Sequence, residues 1–300
     1  MGFLPDAISY DSINHSKYPH VHVLQISVLF PSARVSALKQ AFPNLRTLCL
    51  YPLLTVIGKG PLYTPPTAQQ TPTNQKDEET PHQIEPWANL HSIEGDPSLI
   101  AMAQINRPIR TLLCNIDYIN HAAPAAAILG ELNPRYLGIR TPHPPSTIFH
   151  ILLAATSVTH LCLAAESVQR FDGINDFLMA ILPAIQQVFV QSLDLKFNFD
   201  PAQSEDPLLK TYREFAQLIA NASPTITQIQ FSFELEKPFS AWKVSSDASA
   251  RHLEMVDFQL ASPREFSGFW TREHSGDPEM TTVSCKWQSN CWLHAILIQA

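Results

Sequence analysis

A short apolar pattern, L-x-x-L-x-L with other aliphatic residues admitted, recurs along this chain, and that recurrence limits what it can fold into. The matches are Val21/Leu24/Ile26, Leu45/Leu48/Leu50, Leu90/Ile93, Ile109/Leu112/Cys114, Val158/Leu161/Leu163, Val190/Leu193/Leu195, Ile226/Ile229/Phe231 and Leu253/Val256/Phe258. A weaker one starts at Pro134 with Leu137 and Ile139. In a strand, side chains alternate between faces, so the fourth and sixth positions point the same way. Each match therefore predicts a short strand with one buried face, and the regular succession predicts that these strands lie side by side.

Helical patterns separate the matches. Val35, Leu38 and Phe42 share one face, with Ser32 as the candidate N-cap. Asp96-Pro97 pairs a capping carboxylate with proline at the first helical position. Short helices are predicted over 123–132 and 146–156. A third, over 174–185, aligns Ile174, Phe177, Leu178, Ile181 and Ile185, and Pro183 should bend its end. The longest, over 206–221, repeats the Asp-Pro start and aligns Leu208, Tyr212, Phe215 and Ile219. Strand then helix, repeated, is a unit that buries its apolar faces by stacking on copies of itself.

Most intervals between matches approach the roughly 20–29 residues of leucine-rich repeats. Phe42-Pro-Asn-Leu-Arg-Thr-Leu-Cys-Leu, in which a bulky residue and Pro-Asn lead into the strand, resembles the repeats of fungal F-box/leucine-rich-repeat proteins, as do 158–163 and 190–195. The resemblance covers the repeat region only. It implies an α/β, irregular leucine-rich-repeat-like solenoid, with a parallel sheet on the concave face and helices on the convex face. The consensus places Asn or Cys three residues after the sixth position, where it bonds neighbouring loops; only Asn198 fits cleanly, which favours irregular stacking. By the same resemblance the chain is a substrate-recognition component related to F-box ubiquitin-ligase receptors, with a cullin-type ubiquitin-ligase adaptor as one partner. The F-box that docks such an adaptor is not evident.

The domain reading is an irregular N-terminal segment over 1–19, a solenoid over 20–260 and an irregular C-terminal segment or cap over 261–300. Residues 59–85, rich in Pro, Thr, Gln and charge, hold too little apolar surface to offset their ordering entropy and read as a disordered insertion. A net charge of −7 and the lack of a dense Lys/Arg run argue against nucleic acid as a partner. No apolar run approaches the roughly 20 residues that cross a bilayer, so no membrane role is expected. Five scattered cysteines suit reduced thiols in a cytoplasmic or nuclear setting.

Chemical motifs are sparse. Cys285, Cys291 and His294 give C-x5-C-x2-H, one ligand short of a structural zinc site and wrongly spaced. His20 and His22 read as two exposed histidines on one strand. No phosphate-cradling glycine loop, nucleophile elbow or H-E-x-x-H occurs, so no catalytic residue, cofactor or metal is assigned. The expectation is a protein-interaction module and not an enzyme; the alternative is a hydrolase or transferase whose site is assembled from dispersed residues. Partner binding is placed on the third, fifth and seventh positions, which face away from the helices: Gln25, Tyr51, Glu94, Asn115, Tyr136, Arg140, His160, Asp194, Lys196, Gln228, Gln230 and Asp257.

Overall fold

The strands expected from the recurring pattern pair with one another at equivalent positions. A computed structural model describes residues 17–28, 35–52, 87–168, 170, 173–197, 208–233, 237–246, 250–256, 281–286 and 292–299. In chain order they form β1 (Val21–Val28), α1 (Val35–Ala41), β2 (Thr47–Pro52), β3 (Ser92–Gly95), α2 (Pro97–Met102), β4 (Thr111–Asn115) and a 3-10 turn over Ile119–His121. There follow α3 (Ala122–Leu132), β5 (Tyr136–Thr141), α4 (Pro145–Ala154), β6 (His160–Ala165), α5 (Gly173–Ile185), β7 (Ser192–Phe197) and α6 (Leu208–Ala222). The last strands are β8 (Gln228–Phe233), β9 (Lys237–Ser246), β10 (Arg251–Met255), β11 (Thr281–Lys286) and β12 (Trp292–Gln299). The fold is α/β with one open, mostly parallel sheet, ordered β10-β9-β8-β7-β6-β5-β4-β3-β2-β1-β12-β11.

From β1 to β8 every pairing is parallel, and the register follows the sequence pattern. Leu24, Leu48, Ile93, Leu112, Leu137, Leu161, Leu193 and Ile229 are successive partners across the sheet. So are Ile26, Leu50, Gly95, Cys114, Ile139, Leu163, Leu195 and Phe231. Gly95 apart, both rows join one continuous core with the buried faces of the helices, including Ile128, Ile151, Phe177, Ile181, Tyr212 and Ile219. Helices α2 to α6 each contact the next in the series. The first pattern position closes each unit from below: Leu45, Val158, Val190 and Ile226 are wholly buried.

A backbone ladder ties the units together where the strands begin. The carbonyl of Arg46 accepts from the N–H groups of His91 and Ser92, that of His91 from Arg110 and Thr111, and that of Arg110 from Arg135 and Tyr136. Arg135, Thr159 and Gln191 repeat the arrangement toward β8. Main-chain bonds thus join consecutive units without any consensus asparagine, which explains how the register holds where the sequence lacks that side chain. Asn198 lies outside the described residues.

Several sequence expectations are corrected. The sheet is not parallel throughout: β9 and β10 continue it antiparallel beyond β8, and β12 pairs antiparallel with β1 and carries β11. Leu253 therefore belongs to a hairpin strand and not to a ninth parallel unit, and Phe258 lies outside the described residues. Only three residues separate β8 from β9, too few for the crossover that a parallel pairing needs. The C-terminal region, read as irregular, supplies two strands, and they extend the edge next to β1 rather than the edge next to β10. His20 precedes β1 in a turn, while His22 Nδ1 lies 3.2 Å from the carbonyl of Asn44, so the two do not share a strand face. Ser32, the Asp206-Pro207 cap, the 59–85 insertion, the 1–16 segment and Cys291 with the side chains of Cys285 and His294 lie outside what is described.

The Asp96 cap is as read from sequence: its Oδ1 accepts from Ser98 N at 2.8 Å and Leu99 N at 3.2 Å, ahead of Pro97. Pro183 sits in the last turn of α5. Asn133 ends α3 in the left-handed conformation, φ 46°, with its N–H on the Leu129 carbonyl.

Candidate functional site

Strand alternation sends the third, fifth and seventh pattern positions to the face turned from the helices. There Leu113, Tyr136, Cys162 and Ala164 form a second, smaller buried cluster containing no helical residue. The fifth positions run Gln25, Cys49, Glu94, Leu113, Gly138, Cys162, Asp194 and Gln230 as successive partners. The seventh run Asn115, Arg140, Ala164, Lys196 and Ser232 from β4 to β8. The structure thus brings together all the sequence-predicted face residues except Asp257, which lies outside the described residues.

Their exposure differs from the sequence expectation. Glu94, Tyr136, Asp194, Lys196 and Gln230 are buried, and Gln25, Tyr51, Asn115, Arg140, His160 and Gln228 are half-buried. Strands about 4.8 Å apart place side chains of one row within contact, so that neighbours shield one another. Tyr136 shows how: its ring stacks on His160 at 4.4 Å between centroids, and the guanidinium carbons of Arg110 and Arg135 lie 5.2 and 5.9 Å from its centroid.

Two carboxylates are set into this face. Glu94 accepts from the Tyr51 hydroxyl, and the Cys49 thiol lies 3.9 Å from its Oε2. Asp194 Oδ2 has the Cys162 thiol at 3.7 Å and the Lys196 ammonium at 3.6 Å, while Oδ1 has no hydrogen-bond partner. Burial pushes the Asp194 carboxyl above the usual carboxylate range, and Lys196, Cys162 and Ser232 draw it back only in part. Gln230, its partner on β8, donates from Nε2 to Ser232 Oγ at 3.1 Å.

A separate polar group gathers where the parallel strands end, the edge at which α/β sheets commonly hold ligands. Asp96 follows β3, Asp117 follows β4, and Arg140, near the end of β5, pairs with Glu166 after β6. His121, almost fully buried in the loop after β4, brings Nδ1 to 3.5 Å from Asp96 Oδ2 without completing a hydrogen bond. His143 Nε2 lies 2.9 Å from the Asp117 carbonyl. Sequence reasoning missed this group because its members are far apart in the chain. The available signal was positional: Asp96, Asp117 and Glu166 each stand within three residues of the end of a strand match. Beside it, a pocket of about 540 Å³ opens between the loops after β5 and β6, lined by Pro144, Ser167, Val168, Arg170, Asp176 and Phe177 among others.

Compared with family models, curated proteins and solved structures, the chain has no match. Among the described residues no group of three or more His, Cys, Asp or Glu could hold a metal ion. No described helix is long and apolar enough to cross a membrane.

Proposed function

We propose that this chain is a non-catalytic protein-interaction module, an irregular leucine-rich-repeat-like solenoid that receives a partner on the sheet face turned from its helices. One observation carries the reading: eight parallel strands in unbroken register line up equivalent side chains into rows on a face whose buried cluster, among the described residues, contains no helical side chain. Rows of that kind suit an extended protein ligand contacted at many points, with Tyr51, Arg140 and His160 half-buried among them. The embedded carboxylates Glu94 and Asp194 disfavour a phosphate backbone on this face. By its resemblance, the module serves as a substrate-recognition component related to F-box ubiquitin-ligase receptors, in the cytoplasm or nucleus.

The test is affinity capture from cell extract with the wild type and with Arg140→Gln combined with His160→Gln. Partners lost from the double variant place binding on this face, and a cullin-type adaptor among the captured proteins assigns the ligase role. Full capture by the double variant moves the site elsewhere.

A second reading has its own observation. The Asp96 carboxylate at the carboxyl edge stands 3.5 Å from the imidazole Nδ1 of His121, a carboxylate beside a histidine such as hydrolases use to orient a general base. Turnover of a hydrolase or transferase substrate by the wild type, lost in His121→Gln with the fold intact, would replace the binding reading with this one.

A further inference from the structure

Two acceptors set into the face turned from the helices lack a donor. Asp194 Oδ1 and Gln230 Oε1 have no hydrogen-bond partner, on side chains of residues 4% and 6% exposed that are register partners on β7 and β8. Their ends meet at one hydroxyl: Gln230 Nε2 donates to Ser232 Oγ at 3.1 Å, and Ser232 hydrogen-bonds the Asp194 carboxyl. Two further donors reach Oδ2, the Cys162 thiol at 3.7 Å and the Lys196 ammonium at 3.6 Å. Neither orphaned oxygen has open surface against which a water molecule could rest. Buried acceptors side by side without a donor are costly and repel each other. A proton on Oδ1 turns one of them into a donor for the other and satisfies both. Turning the Gln230 amide over would also serve Oδ1, but Nε2 would then leave Ser232, whose single proton would face two acceptors.

We propose that Asp194 Oδ1 and Gln230 Oε1 form a proton-binding site, with the Asp194 acid donating to the amide carbonyl, and that this proton switches the charge of the sheet face. With the proton in place, Lys196 contributes an uncompensated positive charge beside Asp194; without it, carboxylate and ammonium cancel. Burial favours the neutral acid as well, and outweighs the pull of Lys196, Cys162 and Ser232 toward the ionised form. Among the described residues, β6 brings His160 and Cys162 to the same face, while β8 brings Gln228, Gln230 and Ser232 and no charge. Lys243 lies one strand further, on β9 opposite Gln228. The proton site stands on this geometry alone, and only the use of its switch rests on the sheet-face reading above.

The experiment is carboxyl- and amide-detected NMR of the full chain, isotope-labelled in aspartate and glutamine, as pH is varied. The Asp194 carboxyl should keep the shift of a neutral acid to at least one unit above the ordinary value of about 3.9, and the Gln230 amide should move with the same midpoint. Gln230→Glu should raise that midpoint by at least about one further unit, because two facing carboxylates share one proton. Asp194→Asn identifies the Asp194 signal and carries an N–H where the acid carries O–H, so it should hold the Gln230 amide at its low-pH shift throughout. Relaxation of the Lys196 and Ser232 amides by an anionic nitroxide, relative to a cationic one, should strengthen as pH falls through the midpoint, with no step there in Asp194→Asn. A midpoint at or below the ordinary value overturns the proton and leaves the turned amide. A raised midpoint that Gln230→Glu fails to move overturns Gln230 as the acceptor. Should that variant not fold, a Gln230 amide indifferent to the wild-type titration decides the same point. A raised midpoint without the nitroxide step overturns the switch. Failure of the capture test above would change none of these readings.

Discussion

Gly95 lies against the backbone of Leu50, its partner on the neighbouring strand, so closely that a Cβ at this position would overlap the Leu50 carbonyl. The Asp96 N–H bonds that carbonyl at 2.9 Å, and Gly95 has φ 137°, a conformation that side-chain-bearing residues rarely adopt. Gly95→Ala should therefore cost roughly 2 kcal/mol or more in urea denaturation. Gly130, inside α3, has nothing within 4 Å of where a Cβ would stand. Gly130→Ala should stabilise by about 0.5–1 kcal/mol through helix propensity. Equal effects at the two positions would contradict the described packing.

Leu161 and Leu193 are partners at the fourth pattern position and are essentially unexposed. Either one changed to Ala leaves a cavity that the surrounding rows and helices fill only in part, at a cost of roughly 2–5 kcal/mol. Leu153, on the outer side of α4 and 37% exposed, should cost far less on the same change. Chemical denaturation of the three variants side by side checks the ranking.

Asp194 gives a pH-dependent signature. Its carboxyl is raised by burial, so the folded chain holds that proton more tightly than the unfolded chain does. Stability from this group then falls as pH rises from the ordinary carboxylate value through the folded one. Asp194→Asn cannot ionise. It should melt above the wild type at neutral pH, and the two should converge below about pH 3.9, where the unfolded carboxyl is also protonated. A variant that melts lower at pH 7 would show that Lys196 and Cys162 outweigh the burial.

Tyr136 and Arg140 separate binding from stability. Sequence alone places both on the partner-binding face. In the fold Tyr136 is buried and stacked, and Tyr136→Ala should cost about 3 kcal/mol. Arg140 and Glu166 keep about a quarter of their side-chain surface exposed, so Arg140→Gln should cost under about 1 kcal/mol. Arg140 is therefore the position for the affinity test, and thermal melts of both single variants check the assignment.

Asp96 serves as helix cap and lies next to buried His121. Asp96→Ala should cost about 1–2 kcal/mol by leaving the Ser98 and Leu99 N–H groups without their acceptor. Asp96→Asn, which keeps an accepting oxygen, should cost clearly less, as measured by denaturation at neutral pH.

The sequence by itself determined the strands of the parallel region, their inward faces and their register. Val21–Val28, Thr47–Pro52, His160–Ala165 and Ser192–Phe197 carry apolar residues two apart, and a one-residue slip would send Leu161 or Leu193 to the wrong face. Local chemistry likewise set the Asp96-Pro97 helix start and the apolar stripe of α5. Tertiary structure decided the rest. The turn from parallel to antiparallel after β8 depends on a connection too short to cross over, and the place of β12 beside β1 depends on a pairing across nearly the whole chain. Burial of Tyr136, Asp194 and Lys196 comes from neighbours 24 to 36 residues away in sequence, brought to one strand spacing by stacking. The same stacking joins Asp96 to His121. Periodicity records which way a side chain points; which other side chain it meets is set only when the strands are laid together.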